Sequence, residues 1–372
     1  ENREIGMEIV RINSTCAGSV RAPGEAVGIT ALEIAMDELA VKAGIDPVEL
    51  RKLNIPDKDP SDGRDFSTHM LAEALDDGAA TYGWADRKAG QTDGDWIIGH
   101  GMSSAVRVNM IGESHARVTL NPDGTVLIET DMTDIGTGTY AILTQIAGEM
   151  LGVPQDRIKT RLGDSNLPKS AGSGGSWGAS SAGSSVFLAC EKLRQEIAKK
   201  LGCDEGDLTL KDGMATAANT QTPLTDLIGD SPMESTGVIE AGKTMKDVRQ
   251  ATFGAFFCEV GVNRVTGETR IRRMHGSFAA GRILNAKTAR SQCLGGMTFG
   301  IGMALTEELI HDARDGHIVN RDLGEYHIPV NADVPQLTVT FLEERDPYAN
   351  PMQAKGIGEL GICGAAACIL NA

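Results

Sequence analysis

The chain has 372 residues, 41% of them hydrophobic, enough to fill one large core or two domain cores. Its 35 basic and 51 acidic residues leave a formal charge of −16, which argues against a general nucleic-acid or anionic-membrane surface, because phosphate binding rests on clustered Lys and Arg. There are 45 glycines where average usage of about 7% gives roughly 26, so backbone geometry is specified unusually often.

Seven cysteines (Cys16, Cys190, Cys203, Cys258, Cys293, Cys363 and Cys368) include no C-x2-C pair, so neither a zinc ribbon nor a ferredoxin-type cluster is encoded, and any iron–sulfur centre belongs to a partner. An odd count in so long a chain also argues against a disulfide framework. No run of about 18 apolar residues occurs, and the opening ENREIGMEIV lacks a basic then apolar leader. Starting at Glu1 rather than Met implies a polypeptide that begins upstream.

In chain order, Ile29, Leu32, Met36, Leu39 and Ala43 follow three-and-four spacing, predicting a helix with one buried stripe that Gly44 stops. Asp46, Pro47 and Glu49 predict a second short helix, with Asp as N-cap and Glu reaching back. The polar stretch 56–65 reads as a linker, dividing the chain into 1–65 and 66–372. A helix is expected near 68–82, a hairpin around the NPDG turn at 121–124, and a second around NRVTG at 263–267. Further helices are expected over 139–151, 179–201 and 288–310, and strand pairs mixed with long helices give an α+β fold.

Two glycine-rich turns lead into helices: DIGTGTY at 134–140 and GSGGSWGASSAG at 172–183. Glycine allows close backbone approach, and a helix start offers unpaired N–H groups to an anion, with Thr137, Thr139, Ser176, Ser180 and Ser181 as further donors. Neither turn has the P-loop or Rossmann pattern, so the pair suits an extended phosphate-bearing ligand. A third glycine-rich run, 295–305, falls within a helix.

Near the end, KGIGELG isolates Glu359 among glycines and apolar residues. One reading is a surface-loop acid; the other is a poorly solvated carboxyl whose pKa rises towards that of a useful base. Lys355 caps a helix end or holds a phosphate. Arg107 lies on the solvent face of its strand or, pointing inward, needs an anionic partner. No histidine pattern supports a protein-ligated metal.

Four ordered segments, 21–54, 130–152, 281–308 and 355–361, together resemble the molybdenum subunits of the xanthine oxidase and aldehyde oxidoreductase family, most of all bacterial periplasmic aldehyde oxidoreductases. The resemblance spans the whole chain and implies the family's molybdopterin-binding fold, with residues 1–65 ending a first subdomain and 66–372 forming a second. It also implies a longer subunit, whose first half and short C-terminal tail have no counterpart here and without which activity is not expected.

By this matching Glu359 is the active-site base, Arg107 an active-site arginine and Arg21 the substrate-orienting arginine of xanthine-type members. Ile135, Gly136, Thr137, Gly178, Ala179, Arg282, Ile283, Leu284, Asn285, Ala286, Lys287, Thr288 and Gln292, with the backbone of Lys355, Gly356, Ile357 and Gly358, would hold molybdenum–molybdopterin cytosine dinucleotide. A 2Fe-2S cluster and FAD are expected on partner subunits of a heteromeric complex, itself exported to the periplasm on a partner's twin-arginine signal, or else cytoplasmic. The implied activity is oxidation of a small aldehyde to a carboxylic acid with water as oxygen source. Alternatives are hydroxylation of aromatic heterocycles such as purines, and a non-catalytic cofactor-carrying fragment. Gly136-Thr137-Gly138 stands where the family often has G-Q-G, and Leu360 where xanthine-type enzymes have proline; both favour aldehydes.

Overall fold

A computed structural model describes residues 6, 8–13, 18–242 and 244–372, so Cys16 lies outside the described residues. The other six cysteines are free thiols. Helices α1 (Glu25–Ala43), α2 (Pro47–Leu53) and α3 (Leu71–Tyr82) open the fold. Strands β1 (Thr92–Asp93), β2 (Trp96–Val108), β3 (Ser114–Leu120) and β4 (Val126–Glu129) follow, then α4 (Thr139–Leu151), β5 (Ile158–Arg161) and α5 (Gly178–Leu201). Next come β6 (Thr209–Lys211), β7 (Met214–Ala217), β8 (Thr220–Pro223), α6 (Leu224–Ile228), β9 (Met233–Ile239) and α7 (Thr244–Asp247). The chain finishes with β10 (Ala251–Asn263), β11 (Thr269–Ala279), α8 (Ala286–Leu305), β12 (Gln336–Phe341), α9 (Leu360–Cys363) and α10 (Ala365–Asn371).

The central five-stranded sheet runs β1-β2-β10-β11-β12, antiparallel except where β12 joins β11 in parallel. Helices α8, α9 and α10 bury Phe256, Phe278, Met297 and Ile301 against one face, while α3 closes the other over Phe257. A four-stranded sheet, β5-β4-β3-β9, carries α4 and α5 over a core of Leu120, Ile128, Leu143 and Leu193. Both expected hairpins form, as β3–β4 and β10–β11.

Glycines inside α8 let helices meet backbone to backbone. A Cβ at Gly296 would sit 2.6 Å from the Gly361 carbonyl carbon, and one at Gly361 would sit 2.6 Å from the Cys293 carbonyl oxygen. Both separations are far below van der Waals contact, so α9 and the Glu359 preceding it are pressed onto α8.

Three local expectations change. Helix α1 forms and Gly44 ends it in a left-handed conformation (φ 66°), but Leu32 and Leu39 face outward, and the buried positions are Ala26, Thr30, Glu33 and Ala40. Glu33 turns the helix: its carboxylate accepts from Arg51 Nε at 2.6 Å and from Ser104 N and Oγ at 2.7 Å each. A buried acid must be paired, and its partners lie on the side away from the apolar stripe. Asp46 caps α2 by accepting from Val48 N at 2.9 Å, whereas Glu49 pairs forward with Lys52 at 3.5 Å rather than reaching back. Helix α8 stops at Leu305 instead of 310, the chain leaving it at Thr306 (φ −130°) so that Glu307 accepts from Tyr326 Oη at 2.7 Å.

Residues 56–65 are pinned rather than loose: Asp59 is buried and accepts from Arg249 Nε and the Ser61 hydroxyl, and Lys58 bridges to Asp65 across the loop. Although burial works against its charge, bonds from Ser61 and Arg249 bring its pKa down to about 2.

Candidate active site

A cleft of about 870 Å³ opens where the starts of α4, α5 and α8 converge on segment 355–359. It is lined by Arg21, Arg107, Ile135, Thr137, Gly178, Ala179, Arg282, Ile283, Leu284, Asn285, Thr288, Gln292 and the run Lys355 to Glu359. Sequence segments more than 300 residues apart thus meet around one acid; Gly136, Ala286 and Lys287 do not line the cleft, the last two lying exposed on the first turn of α8.

Glu359 sits at its floor, immediately before α9, with its side chain 13% exposed. Oε1 accepts from Ala22 N at 3.0 Å. Oε2 accepts from Arg107 Nε at 3.0 Å, Arg107 Nη2 at 2.8 Å and Ser176 Oγ at 2.9 Å, while Glu359 N donates to Ser176 Oγ at 3.0 Å. Burial alone would raise the carboxyl, yet the Ala22 N–H, Arg107 and Ser176 together hold it below its usual value. The upward shift expected of a poorly solvated carboxyl is therefore reversed by its four donors.

Arg107 reaches the acid because β2 pairs with β10 on one side, Arg107 opposite Thr252, and α9 closes the other. It is 5% exposed, so the solvent-face reading of this strand arginine does not apply. Its remaining terminal nitrogen, Nη1, donates to Glu25 Oε1 at 2.7 Å. Arg21 lies beside the acid but donates elsewhere, from Nε to Gly358 O at 2.8 Å and from Nη2 to Gln292 O at 2.8 Å. It braces the glycine run against α8, and burial lowers its pKa from the ordinary arginine value.

Two of the glycines around Glu359, Gly356 and Gly361, have a steric reason, whereas a Cβ at Gly358 would meet nothing closer than 3.6 Å. A Cβ on Gly356 would lie 2.0 Å from Ser176 O, so only bare backbone fits. Gly356 N donates to Asn109 Oδ1 at 3.0 Å, and Asn109 Nδ2 donates to Gln250 Oε1 at 2.9 Å, a buried amide pair that sequence reasoning missed. Lys355 turns away from the cleft: Nζ donates to Glu344 Oε1 at 2.5 Å, Thr68 Oγ1 at 2.7 Å and Ala251 O at 2.7 Å, with Asp346 at 3.6 Å. Neither a helix cap nor a phosphate contact is its role; only its backbone lines the cleft.

The two glycine turns differ. In the first, Asp134 Oδ1 accepts from Gly136 N and Thr137 N at 2.9 Å each and from Gly138 N at 3.3 Å. Those N–H groups, expected to be open to an anion, already hold a carboxylate, whose pKa they lower against the effect of burial. In the second, Ser180 and Ser181 turn inward, Ser181 Oγ accepting from Gly112 N at 2.9 Å. The N–H groups of Gly178 and Ala179, and of Ala286 and Lys287 at the start of α8, have no hydrogen-bond partner among the described residues. A Cβ at Gly178 would meet Met132 Cε at 2.5 Å, so a side chain there would displace that methionine tip.

The open N–H groups at the start of α5 lie in this cleft beside a single ionised carboxylate, an arrangement suited to an anionic ligand. Residues 77–335 and 1–55 match two family models, each described as a molybdopterin cofactor-binding domain. The chain is 50% identical over 375 residues to the aldehyde oxidoreductase molybdenum-binding subunit PaoC of Escherichia coli (strain K12), covering 100% of this chain and 51% of that protein. It is 31% identical over 386 residues to the putative xanthine dehydrogenase molybdenum-binding subunit XdhA of the same organism, covering 97% and 51% respectively. Among solved structures, the aldehyde oxidoreductase from Desulfovibrio gigas superposes with a TM-score of 0.76 at 26% identity, over 95% of this chain and 39% of that one. The chain therefore belongs to the molybdopterin-binding family of xanthine oxidase and aldehyde oxidoreductase molybdenum subunits, and it spans about half the length of the curated relatives it matches. Its mixed sheets and helices are that family's fold.

Proposed function

We propose that this chain is the acid-bearing, cofactor-holding part of an enzyme that oxidises aldehydes to carboxylic acids with water as the oxygen source. The observation that carries this reading is Glu359: ionised, largely buried, and set on the floor of a cleft that the open start of α5 also lines. Gly178, Ala179 and the first turn of α8 would hold the pterin and its nucleotide tail, in the cytosine dinucleotide form. The bound group would supply two-electron oxidation and activation of water.

The protein's own contribution follows from its donors. Glu359 Oε2 is saturated by three bonds and Oε1 carries one, so Oε1 is the oxygen that takes up the proton of the attacking water. Arg107 uses one N–H each from Nε, Nη1 and Nη2, which leaves two of its five for the aldehyde oxygen, where charge develops. Arg21 and Gly356 fix the backbone that aims the acid.

Electrons would leave to a 2Fe-2S cluster and FAD on partner subunits, in a complex exported to the periplasm on a partner's signal. Residues 1–65 would close a first cofactor-binding subdomain and 66–372 form a second. No helix among the described residues is long and apolar enough to cross a membrane. Heterocycle hydroxylation is the second reading, supported by the identity to XdhA.

Two assays on purified holoenzyme test the proposal. Acid release should yield cytidine monophosphate, and a pterin without nucleotide would contradict the dinucleotide form. A substrate panel should give turnover with benzaldehyde-type and aliphatic aldehydes and little with purines; the reverse order would establish the second reading.

A further inference from the structure

Ser176 is the residue among the cleft's walls whose backbone is held against its own preference. Its φ is +59°, in the left-handed region that favours glycine, although two glycines, Gly174 and Gly175, immediately precede it. Such a conformation persists only where surrounding structure over-determines it. Here three constraints do so. Trp177 locks the turn, its N donating to Gly174 O at 3.1 Å and its Nε1 to Gly172 O at 3.1 Å. Gly356 lies bare against the Ser176 carbonyl, where a Cβ would approach to 2.0 Å. The hydroxyl then spans both ends of Glu359, accepting from its N at 3.0 Å and donating to its Oε2 at 2.9 Å.

That pair of hydrogen bonds is specific to a hydroxyl in this place. One oxygen accepts from the backbone and donates to the carboxylate of the same residue, so it fixes the side-chain torsions of Glu359 relative to its main chain. It also occupies Oε2, leaving Oε1 as the open oxygen. A glycine at 176 would fit the backbone better but could do neither.

We infer that Ser176 is a positioning residue for the reaction, a latch by which the glycine turn before α5 sets the orientation of Glu359. The inference rests on Glu359 being the base. The titratable and charged groups facing that carboxylate are Arg107 from β2, Arg21 ahead of α1 and Cys363 from α9; Glu25 lies behind Arg107, and Cys293 of α8 beside Arg21.

Two substitutions separate the latch from ordinary stability. Ser176→Gly removes the hydroxyl and relieves the left-handed strain; Ser176→Ala removes the hydroxyl and keeps it. In holoenzyme with its partner subunits, Ser176→Gly should melt at a higher temperature than Ser176→Ala, with equal pterin content. Both should lose kcat by a similar factor of about tenfold or more, with KM little changed, as expected for a misaimed base. Both should also move the acid limb of the kcat/KM profile upward, since a donor to the carboxylate has gone. Near-parental kcat in both variants, or kcat that follows melting temperature so that Ser176→Gly is active and Ser176→Ala is not, would overturn the inference. Turnover retained by Glu359→Gln in the same assay would instead remove the reading beneath it.

Discussion

Arg107 joins two carboxylates: through Nε and Nη2 it holds Glu359 Oε2, and through Nη1 it holds Glu25 Oε1 at 2.7 Å. A single guanidinium thus keeps the floor acid ionised while being itself anchored to the start of α1, and its planar fork suits such a bridge better than an ammonium would.

Removing that cation should therefore show in the pH profile. Glu359 is a carboxyl with a depressed folded pKa, so its charged form persists down through the usual glutamate range and is lost only as pH falls through the lower, folded value. In Arg107→Met Glu359 and Glu25 lose the cation they share, and the acid limb of kcat/KM should move up by about one unit or more. Stability should fall by about 3–5 kcal/mol, the cost of leaving a buried charge unpaired, measurable by urea unfolding.

Lys355 predicts a stability effect rather than a phosphate effect. Its Nζ is fully buried against Glu344 and Asp346, so Lys355→Met leaves two buried acids with no cation. Unfolding free energy should drop by about 3–5 kcal/mol, and a Lys355→Met, Glu344→Gln double variant should recover part of that loss. A phosphate ligand would instead lose cofactor affinity at unchanged stability.

Glycine positions divide by what surrounds them. Gly356→Ala drives a methyl to 2.0 Å from a carbonyl oxygen and should cost several-fold in bound pterin as well as about 1–3 kcal/mol. Gly136→Ala meets nothing within 4 Å and suffers only its φ of +97°, so it should cost about 1 kcal/mol and leave pterin content near normal. Thermal melts and pterin fluorescence of the two variants check the contrast.

Asp134 should behave as an internal anion. Its lowered pKa means that its contribution to stability is present above the usual aspartate range and disappears as pH falls through the folded value. Asp134→Ala should lose about 1–2 kcal/mol at pH 7 and show a shallower acid destabilisation than the parent, by urea titration at several pH values.

Local chemistry made much of the fold legible. Helix α4 occupies 139–151 as expected because left-handed glycines, Gly138 (φ 86°) and Gly152 (φ 63°), flank it, and the two hairpins follow their turn residues. What escaped depends on partners distant in sequence. The outward apolar face of α1 follows from Glu33 meeting Arg51 and Ser104, and Lys355 is drawn from the cleft by Glu344 and Asp346. The direction of the Glu359 shift depends on donors from positions 22, 107 and 176, which spacing alone does not bring together. Asp134 was the exception: it stands two residues before Gly136, and an acid there is a recognisable cap for the turn's N–H groups.

The central claim is that Glu359 moves a proton and does not merely support the cleft. Molybdenum and pterin content, measured together with single-turnover aldehyde oxidation in Glu359→Gln holoenzyme, tests it most directly. The account predicts parental cofactor content with oxidation slowed by about a hundredfold or more. Parental content with near-parental oxidation would contradict it.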